Sequence, residues 1–192
     1  FRQLYFVQDK LFGIYEDDSI LYQLDPTTGQ VKNKGMGHHA AILTLAYDEH
    51  NQRLISSAAD SQILVWDIQS LKSQTFTHSP SAPIISLLSY GDIPTLSTLQ
   101  QDGRIVLRQS TESLLDTISD YHGLIPNPKE EAMLAYTLGG RIDFMNPAGF
   151  SFQSIELGHS IRLSQQVAVN QQSLGSIYSS NCIKIYPLAL LP

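Results

Sequence analysis

The chain has 192 residues, 18 acidic against 12 basic side chains, a formal net charge of -6 and only 16% charged residues. That length suits one ordinary domain or part of a larger repetitive one, and an acidic chain with no Lys/Arg cluster is a poor match for a nucleic-acid backbone or an anionic membrane surface. No apolar run approaches the roughly 20 residues of a membrane-spanning helix, and a single cysteine, Cys182, leaves no internal disulfide and fits a reducing, intracellular compartment, cytoplasmic or nuclear.

The first residues, from Phe1, carry neither a start methionine nor a secretory signal pattern, so the chain is expected to be a fragment or a processed product. A short strand is predicted at 4–7 and another at 11–15. Next comes Asp18-Ser-Ile-Leu-Tyr-Gln-Leu24-Asp25, in which apolar and polar residues alternate after an acidic turn, the period of a half-buried strand. The turn Pro26-Thr-Thr-Gly29 closes this unit. Further along, strands are predicted at 41–47 and 53–57, and the alternating segment returns as Asp60-Ser-Gln-Ile-Leu-Val-Trp66-Asp67. Strands at 84–90 and 95–99 precede Asp102-Gly-Arg-Ile-Val-Leu-Arg108-Gln109. A strand at 133–138, with only a poor one near Leu124-Ile125 before it, precedes Gly139-Gly-Arg-Ile-Asp-Phe-Met145-Asn146. Then come the turn Pro147-Ala-Gly149 and a strand at 150–157. Strands at 161–169 and 174–178 precede the last copy, Ser180-Asn-Cys-Ile-Lys-Ile-Tyr186-Pro187.

The copies begin at 18, 60, 102, 139 and 180, at intervals of 42, 42, 37 and 41. Matching apolar positions at such regular spacing mark an internal repeat. No segment carries sustained helical periodicity. The reading is an all-β chain of four short antiparallel strands repeated about five times, in units of approximately 1–36, 37–78, 79–119, 120–157 and 158–192.

The spacing and the second unit resemble the WD-repeat β-propeller family, in which each repeat forms one four-stranded blade. Gly37-His38 opens that unit, Ser56 lies in its second strand, Asp60 in the following turn, and Trp66-Asp67 closes the third strand. The fifth unit keeps Gly158-His159 and Ser176 but has Ser180 and Tyr186 at the Asp and Trp positions. The third keeps Thr98 and Asp102, replaces Trp by Arg108 and has His78 near its opening; the fourth keeps only His122. The resemblance implies that His38, Ser56, Asp60 and Trp66 form a buried hydrogen-bonded tetrad running from the indole through hydroxyl and imidazole to the carboxylate. Such a network stabilises only when every member is satisfied.

The same Ser, His and Asp could be read as a hydrolytic triad. A nucleophile has to be exposed beside an oxyanion hole, and no Gly-x-Ser-x-Gly elbow occurs, so the structural reading is preferred. His38-His39 with His50 suggests a metal, but adjacent residues rarely both reach one ion and no Cys or carboxylate cluster supports the spacing; no metal and no cofactor are expected. Glu16-Asp17-Asp18 is either a solvated turn or a patch for a basic peptide. Arg104 and Arg108 point to one side of a strand, and a carboxylate partner is expected for Arg108. Cys182 reads as a packed, inert thiol.

Family propellers most often have seven blades, so the resemblance implies that this chain is the C-terminal part of a larger ring, the missing blades preceding Phe1 or coming from another chain. An open arc would bare apolar side chains around Leu11, Phe12, Ile20 and Tyr22 at one end and Ile177, Ile183 and Ile185 at the other, with 188–191 as a possible last strand. The function implied is a non-catalytic scaffold for partner proteins or peptides, with Asp17, His39, Gln62, Ser79, Gln101, Arg104 and Tyr121 as candidate contacts on the loop face. The alternative is a structural subunit whose open edges are completed by another chain. A propeller enzyme is the third reading, against which no paired carboxylates, phosphate-binding glycine loop or metal cluster is found.

Overall fold

The computed structural model describes residues 1–76, 82–90, 95–109, 112–118, 120–127, 132–145, 151–156, 167–169, 173–179 and 182–187. His78, Ser79, Pro147-Ala-Gly149, Gly158-His159, Ser180 and the 188–191 tail lie outside them. Strands β1 (Gln3–Val7), β2 (Lys10–Ile14), β3 (Leu21–Leu24) and β4 (Val31–Gly35) form one sheet in chain order. The second holds β5 (Ile42–Asp48), β6 (Arg53–Ala58), β7 (Ile63–Asp67) and β8 (Ser73–Thr75). The third holds β9 (Ile84–Tyr90), β10 (Thr95–Gln100), β11 (Arg104–Gln109) and β12 (Glu112–Ile118). In the fourth are β13 (Tyr121–Asn127), β14 (Ala132–Thr137), β15 (Arg141–Met145) and β16 (Ser151–Glu156). Three strands, β17 (Val167–Val169), β18 (Ser173–Ser179) and β19 (Cys182–Pro187), make up the fifth sheet among the described residues. Every pairing is antiparallel. The first strands of successive sheets lie side by side, β1 against β5, β5 against β9, β9 against β13 and β13 against β17.

The alternation read from the sequence sets what each sheet face buries. Successive side chains of a strand point to opposite faces, so the second sheet sends Leu45, Leu54, Leu64 and Trp66 toward the first sheet, where they meet Val7, Phe12, Ile14 and Leu21. Its other face sends Ala46, Ile55 and Ile63 against Ile84, Leu87 and Leu96 of the third sheet. Leu99 and Ile105 of the third sheet then pack on Tyr121, Leu124, Met133, Ala135 and Met145 of the fourth. Each fully buried Leu, Ile or Phe contributes about 1.5–3 kcal/mol, so the core is a series of layers between sheets. Hydrogen bonds stitch the layers: the Gln3 side-chain amide donates to the Leu45 carbonyl and accepts from its N–H, and the Ser57 hydroxyl donates to the Ile84 carbonyl at 2.8 Å.

Two expectations are corrected. The fourth sheet opens with a full seven-residue strand, β13, where the sequence carries only a poor signal; Gly123 and Pro126 hide it, and pairing with β14 supplies the order that local propensity lacks. Secondly, Phe12, 0% exposed, does not line the open face of the first sheet, and Tyr22, which lies on that face by register opposite Gly13, is only 9% exposed. Phe12 belongs to the face that meets the second sheet. Leu11 and Ile20 are half-buried, and the apolar side chains that stand exposed there are Phe1, Leu4, Phe6 and Tyr15. The burial of Ile177, Ile183 and Ile185 lies outside what is described.

Truncating Phe12 to Ala should empty the layer between the first two sheets and cost about 3–5 kcal/mol. Urea unfolding of the variant measures it, and a loss below about 1 kcal/mol would contradict the packing just described.

Candidate functional site

The site is assembled where β5 enters the second sheet. Trp66, in β7, donates its indole N–H to the Ser56 hydroxyl oxygen at 2.7 Å, and that oxygen lies 2.7 Å from His38 Nε2. His38 Nδ1 sits 3.2 and 3.1 Å from the two carboxylate oxygens of Asp60. Ser56 and Trp66 are 0% exposed and His38 6%. The backbone approaches the indole closely: a Cβ on Gly35 would lie 2.7 Å from a Trp66 ring carbon, and one on Gly37 2.6 Å from the Ser73 hydroxyl. Glycine is required at both positions by space, not by φ.

The chain of donors fixes the imidazole tautomer. The Asp60 carboxylate can only accept, so His38 Nδ1–H donates to it, Nε2 of the neutral ring accepts the Ser56 proton, and Ser56 Oγ accepts from the Trp66 indole. A second proton on His38 would turn Nε2 into a donor and take away the acceptor of the Ser56 proton. Burial lowers the His38 pKa below its ordinary value, with the Asp60 charge opposing that shift. For Asp60, burial acts upward but is outweighed by the N–H groups of His39 and Gln62 and by His38, so its pKa is lowered. The imidazole is therefore neutral near pH 7.

A Ser–His–Asp order with these distances is the geometry of a hydrolytic triad. The Ser56 oxygen, however, is fully buried and engaged by an indole, so no substrate carbonyl can reach it in this state. Of the three histidines in the metal reading, His38 and His39 precede β5 while His50 follows its far end, across a seven-residue strand roughly 20 Å long. Among the described residues no three His, Cys, Asp or Glu side chains come together as metal ligands.

The Asp60 carboxylate also accepts the His39 N–H at 2.8 Å and the Gln62 N–H at 3.0 Å. Further backbone bonds hold the turns at this end of the sheets: Ala59 N–H to the Ala41 carbonyl, Ile42 N–H to Asp18, and Gln101 N–H to Pro83. Asp17, His39 and Gln101 are exposed on these turns, and Gln62 and Arg104 are half-buried. Arg104 leans toward Asp102, Nε to Oδ2 3.9 Å; the Arg108 side chain lies outside the described residues. Within the acidic turn, Asp18 accepts from Ile20 N–H and from the Tyr22 hydroxyl, while Glu16 and Asp17 remain in solvent.

Tyr121 does not belong with the surface set. It is 7% exposed, and its hydroxyl donates to Asp143. Burial and that acceptor push its pKa up to about 12. Asp143, itself buried, also accepts from the Ser154 hydroxyl at 2.5 Å and faces Arg141 Nε at 3.1 Å. This second polar network escaped the sequence reading, although a carboxylate at an inward position of the alternating segment Arg141-Ile-Asp-Phe-Met145 was a usable signal. Also missed were the turn-forming roles of Asp25 and Asp67. Asp67 accepts the Gln69 and Ser70 N–H groups, and Asp25 those of Thr27 and Thr28.

Because the folded chain binds a proton at His38 less readily than the unfolded chain does, this group's contribution is complete above the unfolded value near 6.5 and shrinks as pH falls below it. His38→Gln, whose amide can donate to Asp60 and accept from Ser56, is expected to flatten the stability-against-pH slope below about pH 6.5. Ser56→Ala should cost about 1–3 kcal/mol through unpaired partners, and Trp66→Ala about 3–5 kcal/mol. Denaturant midpoints measured at several pH values check all three.

No protein-family model matches the sequence, and no curated protein resembles it at a significant level. Solved structures do. The computationally designed Ika8 protein aligns with a TM-score of 0.69 at 19% identity over 96% of this chain and 57% of that one. The β-propeller domain of Cps50 (Swd1) from Myceliophteria thermophila aligns with a TM-score of 0.70 at 16% identity over 93% of this chain and 62% of that one. The chain thus spans about three fifths of the length of these neighbours. Identities this low carry the fold alone. The chain has the architecture of a partial β-propeller built from antiparallel sheets, four of them four-stranded among the described residues.

Proposed function

We propose that the chain is part of a WD-repeat-type propeller and acts as a non-catalytic scaffold, docking partner proteins or peptides on the loop face that carries Asp17, His39, Gln62, Gln101 and Arg104. Ser79, the remaining candidate contact, lies outside the described residues. The observation that carries the reading is the double service of Asp60. One carboxylate holds the buried imidazole and also the backbone N–H groups of His39 and Gln62. Loops fixed in this way present side chains whose ordering cost has already been met in folding, which favours binding. The burial of Ser56 argues against a hydrolytic role. The absence of a basic cluster in the sequence argues against nucleic acid as a partner, and the lone cysteine supports an intracellular, reducing setting. No helix among the described residues is long and apolar enough to cross a membrane.

A second reading, that the chain is a structural subunit whose open edge another chain covers, is favoured by the exposure of Leu4 and Phe6 on the first sheet. The two readings use different surfaces and are compatible.

Peptides selected from a display library against the intact chain provide the test. Combined Asp17→Arg, His39→Arg and Gln101→Glu substitutions, all at exposed positions, are expected to leave the melting temperature within about 2 °C, as surface changes do, and to weaken the selected peptides at least tenfold, about 1.4 kcal/mol. Peptides that bind the triple variant equally well would place docking elsewhere.

A further inference from the structure

We propose that Met36 is a site of reversible oxidation: a peroxide converts its thioether to the sulfoxide, a thiol-dependent methionine sulfoxide reductase restores it, and the fold stays intact throughout.

The three methionines of the chain stand in very different surroundings. Met133 and Met145 are 0% and 3% exposed, packed with Leu99, Ile105 and Tyr121 in the layer between the third and fourth sheets. Met36 is 76% exposed, more than any other large apolar side chain among the described residues. A thioether has no proton to lose, so what separates one methionine from another is the access of oxidant to sulfur.

The local backbone explains why Met36 cannot retreat from solvent. Gly35, the last residue of β4, pairs with Leu21, and Gly37 begins the lead-in to β5. Both press onto the second sheet: a Cβ on Gly35 would meet the Trp66 ring, and one on Gly37 would lie 2.8 Å from a Leu64 methyl carbon. The space beneath the segment is thus filled, and the side chain between the two glycines is left outside it. Met36 also stands apart from the open face of the first sheet. It follows β4, at the edge of that sheet opposite β1, where the chain crosses to the second sheet. The tetrad begins two residues later at His38 and holds this crossing in place.

The reaction closes on these atoms. The Met36 sulfur donates a lone pair to one peroxide oxygen, and an S–O bond forms as the O–O bond breaks. The departing hydroxide takes the proton of the transferred oxygen and leaves as water; sulfur is oxidised and the peroxide reduced. In the return step two thiols become a disulfide and the sulfoxide oxygen leaves as water. The sulfoxide is polar. At position 36 water solvates it, whereas at Met133 or Met145 it would be a polar group buried in an apolar layer.

The experiment treats the folded intact chain with hydrogen peroxide and follows each methionine-containing peptide by mass. Met36 is expected to gain one oxygen at least tenfold faster than Met133 or Met145, with the three rates converging to within about twofold in urea. A Met36→Leu chain treated alike should lose the fast phase only, and its melting temperature should agree with that of the treated wild type within about 2 °C. Methionine sulfoxide reductase with dithiothreitol should then return Met36 to the thioether. Equal rates in the folded chain, or faster oxidation of Met133 or Met145, overturn the proposal. So does a treated wild type that melts well below the treated variant, because the Met36 side chain then supports the fold. A Met36 sulfoxide that the reductase leaves in place overturns it as well.

Discussion

The indole–hydroxyl–imidazole–carboxylate chain from Trp66 to Asp60 is the constraint on which the second sheet and its loops depend. It crosses from the middle strands to the lead-in of β5, and the donor-only indole at one end and the acceptor-only carboxylate at the other set the direction of the bonds between them. Trp66 has one donor, Ser56 one proton and one occupied acceptor, and His38 a neutral ring whose two nitrogens take opposite roles. Buried polar groups are costly when unpaired and specific when paired. The chain therefore selects one path for the backbone that carries Gly35, Gly37 and His39 over the sheet. Without it the glycine-rich stretch from 35 to 37 would have wide conformational freedom.

The same constraint explains why the fold was readable and where the reading failed. Alternating segments in Asp60-Ser-Gln-Ile-Leu-Val-Trp66-Asp67 and its copies locate β3, β7, β11, β15 and β19, because period two survives even when the hallmark residues are lost. The strand β13 did not show itself, since its order comes from cross-strand pairing and from Tyr121, whose role depends on Asp143, more than twenty positions away in sequence. Phe12 was assigned to the open face of the first sheet for a related reason. Strand alternation states that Phe12 and Leu11 point to opposite sides, but not which side meets the next sheet. Only the partner of each face decides that, and the partner is a three-dimensional fact. His38, Ser56, Asp60 and Trp66 were legible because their residue types and spacing in one unit are unusual together. The outward residues Asp17, Gln62 and Gln101 were legible only as turn positions.

The less regular sheets show how the polar solution can change while the backbone is kept. In the first sheet Asp18 reaches Tyr22, at the position where the second sheet has Leu64. In the fourth, that same position is Asp143, joined to Tyr121, Ser154 and Arg141. A hydroxyl–carboxylate pair thus serves in two sheets where the second uses the longer four-residue chain. Each solution brings its own charge problem. Asp143 is buried, and Arg141 beside it supplies the compensating charge that an isolated carboxylate would lack. Burial works against the Arg141 charge, but Asp143, Tyr121 and Asp120 together raise its pKa.

These local solutions separate two surfaces that a scaffold needs to keep apart. The loop face is polar and is fixed from beneath by Asp60 and by backbone bonds at Ala41, Asp18 and Pro83. The open face of the first sheet is apolar and perpendicular to the strand ends, since side chains stand off a sheet while turns close its edges. No described hydrogen bond of Leu4, Phe6 or Phe1 side chains ties that face to the tetrad, and the layer holding Phe12, Ile14 and Leu21 lies between them. A partner on the loops and a partner on the face would accordingly act on different sets of interactions. Sheet packing also transmits little beyond contact, because each layer is close-packed against the next and resists graded deformation. Binding free energies at two such sites should add with little coupling.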